Sequence, residues 1–194
     1  MRKVAIITGS ASGIGAATAV ELSRRGFSVL INYSKSKDQA EKVAAKCKDA
    51  LVVQADVGED AECRKLAQAA LDKWGRIDAL VNNAGTTKFV KHADLDGLSA
   101  DDFLRIYRLN VVGPFQMARA CAPALKAGKG AVVNVSSVAA LLGTGSSIAY
   151  AASKAALNSL TMSLARVLGP EVRVNAVCPG YVDTDRKTSC RERV

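Results

Sequence analysis

The chain has 194 residues, of which 49% are hydrophobic, and a formal net charge of +9 from 27 basic and 18 acidic side chains. This length and composition are typical of one globular α/β domain with a substantial core. The apolar runs are too short to cross a bilayer, and the first of them ends at once in glycine and serine. We therefore expect neither a membrane span nor a signal peptide.

The cysteines and the single histidine argue against several kinds of site. The five cysteines are widely spaced and form no Cys-x-x-Cys pair, so we expect reduced structural thiols in a cytoplasmic protein. His92 is the only histidine, which leaves a zinc site or a Ser-His-Asp triad without support, and we expect its side chain to be exposed. The basic residues form no aromatic-rich patch, so we expect no nucleic-acid partner.

Short apolar runs alternate with amphipathic segments along the chain. The predicted strands cover residues 3–8, 28–33, 51–55, 77–81, 131–137 and 172–177. The predicted helices cover 16–25, 38–48, 60–74, a long segment over 99–125 that we expect to be perturbed near Gly113-Pro114, and 150–168. This alternation is typical of parallel βαβ units and predicts an α/β fold, with a doubly wound parallel sheet between two layers of helices.

A glycine-rich turn follows the first predicted strand, in Thr8-Gly-Ser-Ala-Ser-Gly13-Ile-Gly15. Glycines allow close approach of phosphate oxygens, and the N-terminus of the following helix presents N–H groups to them. The spacing Gly-x-x-x-Gly-x-Gly differs from the common dinucleotide fingerprint, and a plain tight turn is the alternative. The position after a first strand favours a phosphate site.

Polar or glycine residues end most of the predicted strands. They are Thr8-Gly9, Asn32-Tyr33-Ser34, Asp56, Asn82-Asn83 and Ser136-Ser137. Ligands of doubly wound sheets bind beyond the carboxyl ends of the strands. The pattern therefore predicts a polar binding edge on an otherwise apolar sheet.

Tyr150 and Lys154 are four residues apart on a predicted helix, so their side chains share one face. A nearby ammonium ion favours the phenolate and lowers the pKa of a tyrosine, which suits it for proton transfer near neutral pH. The hydroxyl of Ser137 can hold a carbonyl or alcohol oxygen; Ser136 is less suitable because neighbouring strand residues face opposite ways. An ordinary solvated helix face is the alternative when this pair is taken alone.

Taken together, these motifs resemble those of the classical short-chain dehydrogenase/reductase family. The matching residues are Thr8-Gly-x-x-x-Gly13-Ile-Gly15, Asp56-Val57, Asn82-Asn-Ala-Gly85, Asn110, Ser137, Tyr150-x-x-x-Lys154, Pro179-Gly180 and Thr184. The resemblance implies a Rossmann-type three-layer α/β/α fold and one dinucleotide-binding catalytic domain over 1–185. Residues 186–194 would then be a short basic tail or a truncated lid.

The family resemblance also implies a role for each catalytic residue. Tyr150 would be the general acid in ketone reduction and the base in alcohol oxidation. Lys154 would bind the nicotinamide ribose and lower the pKa of Tyr150, and Ser137 would orient the substrate oxygen. Asn110, which is unfavourable inside a predicted helix unless it is held for a polar contact, would anchor a water in the proton relay.

Further residues would bind the cofactor by the same resemblance. They are Gly9, Ser10, Ser12, Gly13, Ile14 and Gly15 at the pyrophosphate, Asn32, Tyr33, Ser34, Asp56, Val57, Asn82, Ala84 and Gly85 toward the adenosine, and Tyr150, Lys154, Pro179, Gly180, Val182 and Thr184 toward the nicotinamide. A carboxylate at the end of the second strand would select NAD. This chain has Asn32-Tyr33-Ser34-Lys35 there, so NADP(H) is favoured and NAD(H) is the alternative.

The resemblance is nearest to 3-oxoacyl-[acyl-carrier-protein] reductases, which implies hydride transfer between NADP(H) and a carbonyl or alcohol substrate. The family's usual last helix and edge strand are not apparent in the sequence. Two alternatives therefore stand beside the reductase: a non-catalytic nucleotide-binding module and an NAD-preferring alcohol or sugar dehydrogenase. The helical segments 113–125 and 151–168 are rich enough in alanine and leucine to form a homodimer or homotetramer, although they could equally be core.

Overall fold

A computed structural model describes residues 2–184, and the predictions for 186–194 lie outside this part of the chain. Its strands are β1 (Val4–Ile7), β2 (Ser28–Tyr33), β3 (Ala50–Gln54), β4 (Ala79–Asn82), β5 (Ala131–Val135) and β6 (Arg173–Val177). Its helices are α1 (Gly13–Arg24), α2 (Lys37–Ala44), α3 (Asp60–Trp74), α4 (Ala100–Tyr107), α5 (Gly113–Ala127), α6 (Ala139–Leu142) and α7 (Ile148–Leu168). A π-helical segment, Arg108–Val112, joins α4 to α5. Within residues 2–184, none of the helices combines the length and apolarity that a membrane span requires.

The six strands form one sheet in the order β3-β2-β1-β4-β5-β6, and every neighbouring pair is parallel. Successive side chains of β1 face opposite layers of helices. Val4 and Ile6 belong to the core that includes residues of α3, α5 and α7, whereas Ala5 and Ile7 belong to the core on the side of α1 and α2. Burial of both faces explains why the strands are continuous apolar runs. The predicted three-layer α/β/α fold is confirmed.

The chain builds the sheet outward from β1 to β3 and then crosses back to add β4 beside β1. The connections that follow β1 and β4 therefore run in opposite directions, which opens a gap between the carboxyl ends of these two strands. Doubly wound sheets bind their ligands in this gap. The gap lies beyond Ile7 and Asn82, the last residues of β1 and β4. The glycine-rich turn follows directly after β1.

The helix predicted over 99–125 is the element that differs most from expectation. Ser99 begins α4 with a capping box, in which its Oγ accepts the N–H of Asp102 at 3.2 Å and the Asp102 carboxylate accepts the N–H of Ser99 at 3.1 Å. The interruption lies at Arg108–Val112, before the predicted Gly113-Pro114. Pro114 occupies the first turn of α5, where a proline fits without breaking the helix.

Two smaller expectations were also wrong. The helix α6 lies between the strand predicted over 131–137 and the helix predicted over 150–168, where neither a helix nor a strand was expected. His92 is half-buried rather than exposed, and its Nε2 is enclosed without a hydrogen-bond partner. The loop that carries His92 folds back on the protein, because the N–H of Val90 donates to the carbonyl of Ser146 at 2.9 Å. Such a contact between distant loops has no signal in local sequence.

Candidate active site

Hydrogen bonds between the ends of β1 and β4 hold the glycine-rich turn in place. The hydroxyl of Thr8 accepts the N–H groups of Asn83 and Ala84, each at 3.0 Å, and the Asn83 side chain donates to the Thr8 carbonyl at 2.9 Å. Gly9 has φ +61°, and a Cβ on it would lie 2.9 Å from Ala84 Cα. Only glycine fits this close approach without displacing the backbone.

The end of β2 supports the same turn. The Oδ1 of Asn32 accepts the N–H of Gly9 at 3.0 Å, and the Oγ of Ser10 accepts the N–H of Asn32 at 3.0 Å. Ser10 is fully buried and donates to the carbonyl of Ile7 at 2.7 Å. Ser10 therefore supports the turn from inside, and it does not line the crevice described next.

A crevice of about 430 Å³ opens beyond the carboxyl ends of β1, β2, β3 and β4. Nine residues predicted to bind the cofactor line it: Gly9, Ser12, Asn32, Tyr33, Ser34, Asp56, Val57, Ala84 and Gly85. Lys35, Asn83, Thr86, Arg105, Arg108 and Leu109 line it as well. The last three come from α4 and the π-helical segment. The sequence motifs did not predict that these residues line the crevice.

The crevice suits the phosphates of a dinucleotide. Helix α1 begins at Gly13, three residues earlier than predicted, directly after Ser12 in the crevice wall. The N-terminus of α1 therefore lies at the crevice with the partial positive charge that favours an anion. A Cβ on Gly15 would lie 2.7 Å from the carbonyl oxygen of Gly9, so glycine is needed there to pack the turn against the helix. Gly13, Ile14 and Gly15 shape the turn and do not line the crevice.

The N-terminal part of α7 carries Tyr150 and Lys154. Ser147 caps this helix by accepting the N–H of Tyr150 at 3.2 Å. The Nζ of Lys154 lies 5.7 Å from the centroid of the Tyr150 ring and donates to the carbonyl of Val135 at 2.8 Å. Because Val135 is the last residue of β5, this bond connects the helix to the end of a central strand.

Lys154 is almost fully buried, with 4% of its surface exposed. Burial penalises the ammonium form and lowers the pKa of Lys154 to about 8, with a smaller opposing effect from Cys178. The amine is therefore close to the balance between its charged and neutral forms at physiological pH. A perturbed titratable group beside a binding crevice is a common property of active sites.

The two serines after β5 have different environments. Ser136 is buried, and its Oγ donates to the backbone carbonyl of Lys154 at 3.1 Å. Ser137 is half-buried, and its Oγ accepts the N–H of Ala139 at 3.1 Å. Because its hydroxyl hydrogen is not used in that bond, Ser137 is the serine that can donate to a substrate oxygen.

Asn110 lies in the middle of the π-helical segment and is fully buried. Its side chain bonds to the backbone of Thr86, which lies in the crevice wall beside Gly85. A Cβ on Gly85 would lie 3.3 Å from Asn110 Oδ1 and 3.6 Å from Lys154 Nζ. The structure thus brings Asn110 and Lys154 together at the end of the crevice.

Several residues predicted to bind the cofactor lie elsewhere. Asn82 was expected to line the adenosine site, but its side chain is buried and donates to Asn134 Oδ1 at 2.9 Å. Asn134 in turn donates to Thr161 of α7 at 2.8 Å, so Asn82 belongs to an internal polar network. Outside the crevice, in the segment after β6, lie Pro179, Gly180, Val182 and Thr184.

A doubly wound sheet, a crevice at its switch point and an adjacent Tyr-Lys pair together define a dinucleotide-dependent oxidoreductase. Comparison with known proteins agrees with this class. The sequence profile described as short chain dehydrogenase matches residues 3–194. The chain belongs to this family and is an oxidoreductase that acts on carbonyl and alcohol groups.

Three similar proteins illustrate the match. A protein of Streptomyces violaceoruber, assigned as ketoacyl reductase 2 of the granaticin polyketide synthase, is 46% identical over 182 residues, which cover 93% of this chain and 73% of that protein. A crystal structure from Burkholderia xenovorans, assigned as a short-chain dehydrogenase/reductase, has a TM-score of 0.93 and 49% identity, covering 94% of this chain and 78% of that one. An alcohol dehydrogenase from Thermococcus sibiricus, in complex with 5-hydroxy-NADP, has a TM-score of 0.86 and 27% identity with the same coverage.

The buried Lys154 predicts a specific pH dependence of stability. Its pKa is about 8 in the folded protein and near 10.5 in the unfolded chain, so the unfolded chain binds more protons between these pH values. The contribution of Lys154 to the free energy of unfolding should therefore rise from pH 8 to pH 10.5, by on the order of 3 kcal/mol. Burial raises the pKa of the Cys63 and Cys121 thiols to about 12, so both thiols oppose this rise above about pH 9, equally in the wild type and in a Lys154 variant. Urea denaturation at a series of pH values should therefore show a more positive dependence of the free energy of unfolding on pH in the wild type than in Lys154→Met.

The exposed Lys126 at the end of α5 provides the control, because Lys126→Met should keep the wild-type pH dependence. The same slope in Lys154→Met and in the wild type would contradict the assignment of the rise to Lys154.

Proposed function

We propose that this protein is an NADP(H)-dependent reductase of carbonyl compounds, with 3-oxoacyl thioesters as the substrate class. The observation that carries the proposal is the position of Lys154, buried between the Tyr150 ring, the end of β5 and the Gly85 end of the crevice. The substrate class is supported by the ketoacyl reductase assignment of the relative from Streptomyces violaceoruber.

In the proposed reaction, the Ser137 hydroxyl holds the substrate carbonyl oxygen by a hydrogen bond. A reduced nicotinamide, when bound in the crevice, would be the source of the hydride for the carbonyl carbon. Tyr150 donates its phenolic proton to the carbonyl oxygen, which completes the alcohol and leaves a phenolate on Tyr150. The Lys154 ammonium stabilises that phenolate, and in the oxidative direction Tyr150 takes the proton back.

In the proposed reaction, Asn110 helps to bind a water molecule that returns a proton toward Lys154. Two distances support this role. A point beside Gly85 lies within 3.3 Å of Asn110 Oδ1 and 3.6 Å of Lys154 Nζ, so polar atoms of both residues border the same small space.

Replacing Tyr150 with phenylalanine should abolish most turnover. The variant keeps the ring but removes the proton donor, so kcat for a 3-oxoacyl thioester should fall by about 10³-fold, within the range typical of general acid catalysis. NADPH binding, followed by the fluorescence of the reduced nicotinamide, should stay within a few-fold of the wild type. Turnover of the variant at a near-normal rate would exclude Tyr150 as the acid.

The charge of the crevice supports the preference for NADP(H). Lys35, Arg105 and Arg108 line it, and Asp56 is the single acidic residue among the described lining residues. No carboxylate occupies the end of β2, where one would bind both ribose hydroxyls and repel a 2′-phosphate. The relative from Thermococcus sibiricus, whose complex contains an NADP derivative, is consistent with this preference.

Substitution of Lys35 tests the cofactor preference. Lys35→Ala should raise the KM for NADPH about fivefold and leave the KM for NADH within twofold, because a surface charge pair is worth about 1 kcal/mol. Lys37→Ala is the control, since Lys37 is exposed on α2, pairs with Glu41 and does not line the crevice. Equal effects of Lys35→Ala on the two cofactors would contradict the proposal.

We also propose that the protein forms a homodimer or a homotetramer. Helices α5 and α7 leave large apolar side chains exposed, with exposed fractions of 40% for Phe115, 57% for Met162 and 73% for Val167. Burial of these side chains against a second copy would stabilise an assembly.

In sedimentation velocity, the mass of the wild type should exceed that of the monomer at micromolar concentration. The substitution Val167→Glu should shift the measured mass toward that of the monomer, because it places a charge in the apolar contact. A monomeric wild type would refute the proposal.

A further inference from the structure

Ser153 precedes Lys154 on α7 and is fully buried. Its hydroxyl donates to the backbone carbonyl of Tyr150 at 2.7 Å and accepts a hydrogen from Asn110 Nδ2 at 3.0 Å. Ser153 thus contacts the backbone of one proposed catalytic residue and the side chain of another. It is one of the unspecified positions of the Tyr150-x-x-x-Lys154 motif and was not among the predicted site residues.

The amide group of Asn110 is largely committed to protein partners. Its Nδ2 donates to the carbonyl of Thr86 at 2.9 Å and to Ser153, and its Oδ1 accepts the N–H of Thr86 at 2.8 Å. Both Nδ2 hydrogens are therefore used. Ser153 is the partner that joins this group to the helix of Tyr150 and Lys154.

The other end of this chain of hydrogen bonds is the crevice wall. Thr86 and Gly85 both line the crevice, and Gly85 lies beside Lys154 Nζ. The bonds from Ser153 through Asn110 to Thr86 therefore run from the catalytic helix to the backbone of the nucleotide site. Three separate segments meet in this chain, namely α7, the π-helical segment and the loop after β4.

We infer that Ser153 is a positioning residue. It holds Asn110, and through Asn110 the backbone of Gly85 and Thr86, in a fixed position relative to Tyr150 and Lys154. The inference rests on the proposed function of Tyr150 and Lys154. A π-helical turn is a rare alternative to the α-helical form, so the segment around Asn110 depends on side-chain bonds to keep its geometry. In Ser153→Ala, one buried N–H of Asn110 loses its partner, while the helical hydrogen bonds of α7 are retained.

The first test needs no cofactor and no activity. The amide hydrogen of Thr86 is bonded to Asn110 Oδ1, so its exchange with solvent, measured by NMR in the unliganded protein, reports on the position of Asn110. Exchange at Thr86 should be about tenfold faster in Ser153→Ala than in the wild type. Ser159→Ala is the matched control, since Ser159 is exposed on the same helix and should leave the Thr86 rate unchanged.

The second test is kinetic. In Ser153→Ala, kcat for a 3-oxoacyl thioester should fall about tenfold, equivalent to about 1.4 kcal/mol, while the KM for NADPH stays within twofold. Ser153→Cys, which retains a weak hydrogen-bonding group of similar size, should restore part of kcat. In an Asn110→Ala background, Ser153→Ala should cause no further loss, because Ser153 acts through Asn110.

The outcomes separate this inference from the proposed function. An unchanged Thr86 exchange rate in Ser153→Ala, or a full additional loss of kcat in the Asn110→Ala background, would overturn the positioning role. A wild type without reductase activity would overturn the proposed function, and the exchange measurement would still test the hydrogen-bonded connection. If Ser153→Ala does not fold, the same exchange and kinetic comparisons are made with Ser153→Cys, where wild-type values of both would overturn the inference.

Discussion

The hydrogen bond from Lys154 Nζ to the carbonyl of Val135 is the interaction on which the candidate site depends. It takes a long, flexible side chain from the surface of α7 and holds it at the end of β5, where burial lowers the pKa of the amine to about 8. The bond satisfies one of the three N–H groups of the ammonium, and without such partners a buried cation would be strongly unfavourable. Because Tyr150 lies one turn of helix before Lys154, its ring lies beside the Lys154 side chain.

The crevice depends on a second set of buried hydrogen bonds, which connect neighbouring strand ends. Thr8, Asn32 and Asn83 use their side chains to bond to the backbone of the glycine-rich turn and of the segment after β4. Backbone groups at the end of a sheet lose their strand partners, and these side chains replace them. These residues were recognised in the sequence as polar strand ends. In the structure their side chains mainly hold the backbone around the crevice in place.

Most of the fold could be predicted from the sequence because the signals are local. Buried parallel strands are continuous apolar runs, and the start of α4 is marked by Ser99 and Asp102 in a capping box. The pairing of Tyr150 with Lys154 followed from helical spacing alone. The predictions failed where contacts between distant segments decide the conformation: the π-helical segment is associated with the bonds of Asn110 to Thr86 and Ser153, and His92 is enclosed by a loop that bonds to Ser146.

Local sequence was enough to predict the alternation of strands and helices along most of the chain, the glycine-rich turn and the residue types available for chemistry. Each of these depends on spacing and backbone preference within a few residues. Packing between distant segments sets which of those residues line the crevice and which support it. Asn82 and Asn83 are adjacent in the chain, yet the Asn82 side chain enters the network with Asn134 and Asn83 lines the crevice. Successive residues at a strand end point in different directions, and only the packed sheet and helices determine what each side chain meets.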